Sequence, residues 1–213
     1  MFHLLLSSAS LASLTGISAS IHSFILSHDY LAIVILMALE SASLPIPSEV
    51  VLPLTGYFVY TGLLNLYLAI ISTLIGTAIG ITIDYYIAYF LGKDVVYKHA
   101  ERFHINRKML DSFDRWFVAN AGFTVFIGRL IPVVRGLISF PAGFAQMDIK
   151  KFYLYSLSGS FIWNVVLIAF GYYAFGSTTN ILIMLAATGI FVQALYIVYV
   201  VAMRKIRSSS AKK

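Results

Sequence analysis

The chain has 213 residues, of which 60% are hydrophobic and 11% charged, and its mean hydropathy is +0.86. A water-soluble domain carries about 25% charged residues, so the composition excludes one and points to an integral membrane protein the size of one helical bundle. With no cysteine, a disulfide framework and thiolate metal sites are excluded too. The formal charge of +6 does not read as nucleic-acid binding. Thirteen of the fifteen Lys and Arg lie in three clusters, Lys93 to Arg115, Lys150 with Lys151, and Arg204 to Lys213. Basic clusters flanking apolar spans are what cytoplasmic segments of membrane proteins carry. The five histidines form no metal-binding spacing, and there is no P-loop, GxSxG or SxxK. A non-enzymatic protein without cofactor or metal is expected.

Residues 1–28 read as an N-terminal apolar or interfacial helix. Its serine-rich stretch 4–26 either spans the membrane or lies on it, and lacks the basic start of a cleaved signal peptide. Residues 29–203 form the main transmembrane domain. Its first segment, 30–60, is apolar but interrupted at ESASLPIPSE. Each arm has about ten residues, where about 20 are needed to cross ~30 Å of hydrocarbon. Pro45 and Pro47 break the helix, which predicts a re-entrant hairpin whose tip faces protein or water. A single broken spanning helix is the competing reading.

Residues 65–91 are long enough to span. Gly76 and Gly80 form a GxxxG contact face, and Asp84 follows one turn later on that face. An acid there points inward, in a structural or a functional role. Residues 93–120 turn polar, with Leu110, Phe113 and Phe117 at helical spacing. They read as an amphipathic helix at the cytoplasmic surface, or else as a solvated loop.

Residues 121–147 repeat the first pattern: apolar, broken by Pro132 and Pro141, and carrying Arg129 and Arg135 at the break. An arginine at mid-bilayer depth costs roughly 2.5–3.5 kcal/mol even on insertion scales, so both need a reason to be there. A second hairpin keeps all the lysine-rich segments on one side. Spans over 152–175 and 181–203 then return the basic tail, 204–213, to the cytoplasm. The expected fold is an all-α polytopic bundle with two opposed re-entrant hairpins as inverted repeats, an arrangement common in secondary transporters.

The residues carrying this pattern resemble the DedA family, whose core is the VTT or SNARE-associated domain. The likeness rests on ESASLPIPSEVVLPLTGY (Glu40 to Tyr57), on GRLIPVVRGLISFPAG (Gly128 to Gly143), and on GSFIW with GYYAFG (Gly159 to Gly176). Where many members place an acid after the second glycine of the spanning helix, this chain has Ile81, and the acid is Asp84. The resemblance implies facing hairpins and movement of lipids between leaflets. Members are linked to undecaprenyl phosphate recycling, phosphatidylethanolamine flipping and phospholipid scrambling, some with a need for proton motive force. Acids matching Glu40 and Glu49, and arginines matching Arg129 and Arg135, are held essential.

The expectation is therefore a plasma-membrane protein that moves a phosphate-bearing lipid between leaflets. Arg129 and Arg135 bind the phosphate through guanidinium forks. Glu40, Glu49 and Asp84 serve as cavity acids, of which Glu40 or Glu49 is the proton acceptor. Pro45, Pro47, Pro132 and Pro141 shape the breaks. Three embedded acids against two arginines leave one excess negative charge, and protonating one acid neutralises the site. The bland alternative is a set of structural salt bridges. A proton-coupled antiporter for small ions or drugs and a non-transporting scaffold are the functional rivals; a homo-oligomer is compatible with each.

Overall fold

The structure, a computed structural model, describes residues 8–100, 117 and 120–174. Within them the chain is helical throughout: α1 Ser8–Ser41, α2 Ser48–Tyr60, α3 Leu66–Ala100, α4 over 120–129, α5 Pro132–Leu137, α6 Ser139–Phe144 and α7 Ile149–Ala174. The span expected over 181–203, the tail over 204–213 and most of the amphipathic segment over 93–120 lie outside the described residues.

Among the described residues, three stretches are long and apolar enough to cross a membrane: Ala19–Ser41, Leu66–Gly92 and Ile149–Tyr173. The pattern on α3 shows which way they are turned. Ile71, Ile75, Ile79, Ile83 and Ile87 recur every four residues and are exposed, whereas Thr73, Thr77, Ile81 and Asp84 are buried. The outer stripe is greasy and the inner face holds the polar groups, the distribution suited to a hydrocarbon surround. The all-helical membrane class is thus a property of the fold as well as of composition.

Local sequence explains where the helices start and bend. Asp29 has φ 49° and ψ −124°, so α1 is two helical pieces meeting at a bend. The amides of Tyr67 and Leu68 donate to Asn65 Oδ1 at 2.9 and 3.3 Å, capping α3. The amide of Lys151 donates to Asp148 Oδ1 at 3.0 Å and caps α7. Gly92, at φ 70°, interrupts α3 where its apolar span ends.

Close helix contacts hold the bundle together. A Cβ on Gly76 would lie 2.4 Å from Val34 O, and one on Gly80 would lie 2.3 Å from Ala38 O. The GxxxG face therefore carries α1 directly against α3, as its spacing suggests. Elsewhere α2 lies on α7, α6 on α3, and α4 meets α7. The second piece of each interrupted segment thus rests on the long helix of the other half.

Candidate functional site

Both interruptions meet at a set of buried charges. The first is the turn between α1 and α2, residues 42–47, with Glu40 and Ser41 at its start and Ser48 and Glu49 at its end. Pro47, in extended conformation, stops the turn and starts α2. The second is the pair Leu130–Ile131 between α4 and α5, with Pro132 at the first position of α5, where its missing N–H costs nothing. That junction puts Arg129 at the end of one helix and Arg135 in the last turn of the next.

Arg135 is 2% exposed and makes three kinds of contact. Its Nε lies 3.3 Å from Glu40 Oε1, and its Nη2 donates to Glu40 Oε2 at 3.3 Å, a two-point pairing of fork and carboxylate. Its Nη1 donates to Ser48 Oγ at 3.0 Å. The guanidinium also sits over the Trp163 ring, 5.3 Å from the centroid, as a cation–π contact. Ser41 Oγ donates to Glu40 Oε2 at 3.0 Å.

Arg129 is 1% exposed and has no carboxylate of the described residues in ion-pair range. Its Nη1 donates to Arg135 O and its Nη2 to Ser139 Oγ, both at 2.5 Å. Its Nε has no hydrogen-bond partner among the described residues. Glu40 and Asp84 act on it only at longer range. The helix that backs it approaches closely: a Cβ on Gly159 would lie 2.8 Å from Arg129 Cβ.

Asp84, 2% exposed on α3, joins the group through Ser43, whose Oγ is 2.5 Å from Asp84 Oδ2 and 2.9 Å from Gly136 O. A cavity of about 230 Å³ opens on the cluster, lined by Glu40, Ser43, Glu49, Pro132, Arg135 and Gly136 among others. The fold therefore brings Glu40, Asp84, Arg129 and Arg135 into one neighbourhood. Glu49 lines the same cavity without an ion pair among the described residues. Pro45 and Pro47 line a different cavity, beside Ile21 and Leu36 of α1. Pro141 lies within the first turn of α6.

Serines escaped the sequence reading. Ser43, Ser48 and Ser139 complete the hydrogen bonding of the charged residues, and only their closeness to the breaks hinted at it. Trp163 packs with its ring face on the Arg135 guanidinium. A further row of buried polar atoms lacks partners among the described residues: Thr77 Oγ1, Ser156 Oγ, Ser160 Oγ, Trp163 Nε1 and both amide atoms of Asn164. Buried polar groups are nearly always satisfied, so this inner face of α3 and α7 is suited to water.

A bundle with its charges inside and its aliphatic side chains outside, built around two interrupted helical segments, defines an all-α integral membrane protein with a buried arginine–carboxylate site. The VTT domain family matches residues 46–173. The chain is 29% identical to the uncharacterized membrane protein YbfM of Bacillus subtilis over 151 residues, 71% of this chain and 93% of that protein. It is 31% identical to the alkaline phosphatase-like protein of Lactococcus lactis subsp. cremoris, over 67% of this chain and 69% of the relative. It is 34% identical to undecaprenyl phosphate transporter A of Staphylococcus aureus, over 70% of this chain and 75% of the relative. The chain belongs to the DedA family of VTT-domain membrane proteins. No solved structure matches it.

Proposed function

We propose that the protein moves a phosphate-bearing lipid between membrane leaflets, binding the headgroup phosphate at Arg135 and Arg129. The observation that carries this reading is Arg129, a buried guanidinium with a free Nε and no direct counter-ion among the described residues. An unpaired buried cation is costly unless an anion reaches it. A phosphate suits the fork of donors that a guanidinium presents. Glu40 occupies part of Arg135 and competes with the phosphate for it. Protonation of Glu40 would weaken that competition, and protonation of Glu49 would lower the negative charge of the cavity; either would couple transport to a proton gradient. The transporter A relative, named for undecaprenyl phosphate, supports a polyprenyl phosphate as the substrate; a glycerophospholipid such as phosphatidylethanolamine fits the same chemistry.

In this reading the segments 30–60 and 121–147 are re-entrant hairpins of an inverted repeat, and their breaks lie at mid-bilayer depth. Helix lengths support it. Although Ala19–Ser41 taken whole is long enough to cross a membrane, α1 bends at Asp29, and the piece beyond the bend, 30–41, reaches only about 18 Å. At 1.5 Å per residue the thirteen residues of α2 reach about 20 Å, short of the ~30 Å core. The six residues each of α5 and α6 reach far less. Reciprocal packing supports it as well, since Gly56 of α2 lies on α7 and Gly143 of α6 lies on α3. The basic segment over 93–120 and the C-terminus face the cytoplasm of a multi-pass cell-membrane protein.

Reconstitution into liposomes with labelled lipids tests the proposal. Wild type translocates intact phospholipid or polyprenyl phosphate, and Arg129→Ala and Arg135→Ala do not. Release of free phosphate would replace the transporter with a hydrolase. Equal lipid movement in wild type and both variants would remove the arginines from the mechanism.

A further inference from the structure

Ser43 poses a counting problem. Its hydroxyl has one proton, yet Oγ lies within hydrogen-bond distance of two acceptors, Asp84 Oδ2 at 2.5 Å and Gly136 O at 2.9 Å. If Asp84 is ionised, it takes the serine proton and the Gly136 carbonyl faces a bare oxygen. If Asp84 carries a proton, the chain closes: Asp84 Oδ2–H donates to Ser43 Oγ, and Ser43 O–H donates to Gly136 O. Only the protonated acid satisfies both short contacts.

We infer that Asp84 is a proton-binding site and that Ser43 is the positioning residue through which its proton fastens the Arg135-bearing helix α5 to the α1–α2 turn. The geometry of the three partners is specific. Ser43 has φ 58°, a backbone conformation that only a local constraint keeps in a non-glycine residue, and it aims the hydroxyl between α3 and α5. Gly136 directly follows Arg135, whose own carbonyl takes the Nη1 hydrogen bond of Arg129. A change at Gly136 therefore reaches both arginines. Ser43 and Gly136 line the 230 Å³ cavity, which gives protons a way in.

The surroundings leave Asp84 as the acid to titrate in this contact. On the elements packed around α3, Glu40 of α1 is already held by Arg135, and Glu49 of α2 lines the cavity with no hydrogen bond to Ser43 or Gly136 among the described residues. Arg129 of α4 acts on Asp84 at a distance, and Arg135 of α5 is turned to Glu40. α6 has no ionisable group, and Tyr153 of α7 is engaged with Thr82. Tyr85 of α3 itself donates to Met147 O. Loss of the Asp84 proton leaves one serine proton for two acceptors, releases Gly136 and loosens α5. The lock regulates the site of the proposed function and rests on that reading for its use.

Hydrogen–deuterium exchange of the peptide spanning α5 tests it on the full chain in nanodiscs, independently of lipid transport. After correction for intrinsic exchange, wild-type protection falls roughly three- to tenfold from mildly acid to mildly alkaline pH, the worth of one hydrogen bond. Asp84→Asn, whose amide N–H replaces the acid proton, stays protected at every pH. Ser43→Gly, which keeps the positive φ and removes the hydroxyl, is unprotected and flat. Glu40→Gln lowers α5 protection overall, because it strands Arg135, but retains the wild-type pH slope. A flat wild-type profile, a slope that persists in Asp84→Asn, or one abolished only in Glu40→Gln would overturn the inference. Failed lipid transport with the expected exchange pattern would instead count against the transport reading alone.

Discussion

Arg135 and Glu40, 95 positions apart in the chain, meet as a two-point ion pair at 3.3 Å inside the bundle. The pair joins the end of α1 to the short helix α5, so it ties both interruptions together. Removing one partner strands the other charge, at roughly 3–5 kcal/mol for a buried pair. Glu40→Gln and Arg135→Met each therefore lower the apparent melting temperature in detergent. The double variant Glu40→Met with Arg135→Met recovers most of that loss, because no charge is left uncompensated. Its lipid transport remains absent, which separates the pair's structural role from its functional one.

Arg135→Lys keeps the charge and loses the fork. A lysine ammonium is a point donor and cannot hold both carboxylate oxygens and Ser48 at once. Transport falls at least tenfold in liposome assays, with a smaller loss of stability than for Arg135→Met. Wild-type transport by the lysine variant would mean that charge alone suffices and that the bidentate contact has no part in substrate recognition.

The charged residues were legible in the sequence because they are costly. Arg129, Arg135, Glu40 and Asp84 stand out in apolar surroundings, and the prolines beside them mark the breaks. Which acid meets which arginine was not legible. Glu40 and Glu49 flank the same turn and line the same cavity, and of the two only Glu40 meets Arg135 among the described residues. Ser43, Ser48 and Ser139 were hidden for the opposite reason: serine is common and inexpensive in membrane helices, so nothing in the pattern singles it out. The Gly136 carbonyl, a backbone atom, leaves no trace in a sequence at all. Gly76 and Gly80 were legible as contact glycines from their spacing. Gly159, alone in its turn, gave no such cue although it sets the approach of α7 to Arg129.

Glycine contacts give a stability test with an internal control. A Cβ on Gly56 would lie 2.1 Å from Ile168 O, a backbone atom that cannot swing aside. Gly56→Ala forces α2 off α7 and costs about 1–3 kcal/mol, the range for overpacking. Gly16 has nothing within 4 Å of the same position, so Gly16→Ala is close to neutral. Thermal stability in detergent separates the two substitutions; equal effects would mean that the α2–α7 contact yields without cost.

Asn164 is buried, and neither of its amide atoms has a partner among the described residues. An unsatisfied buried amide costs roughly 1–3 kcal/mol, and an apolar residue of similar size removes that cost. Asn164→Leu therefore matches or exceeds wild type in melting temperature. If water along the inner faces of α3 and α7 serves the site, the same variant transports lipid more slowly. Measured together, raised stability with reduced transport marks Asn164 as kept for function, whereas a large loss of stability would mean that a water or another partner satisfies it.

Trp163 offers a direct optical readout of the site. The chain has two tryptophans, Trp116 and Trp163, so Trp116→Phe leaves the indole under Arg135 as the sole emitter. A headgroup phosphate reaching Arg135 alters the charge 5.3 Å from that ring, and indole emission responds to such a change in field. Titrating the single-tryptophan protein with a phosphate-bearing lipid shifts or quenches its emission in a saturable way. A neutral lipid lacking phosphate, such as a diacylglycerol, does not. In the Arg135→Ala background the response is lost although the tryptophan remains. A response of equal size to the neutral lipid would trace the signal to bilayer packing and separate Trp163 from headgroup binding.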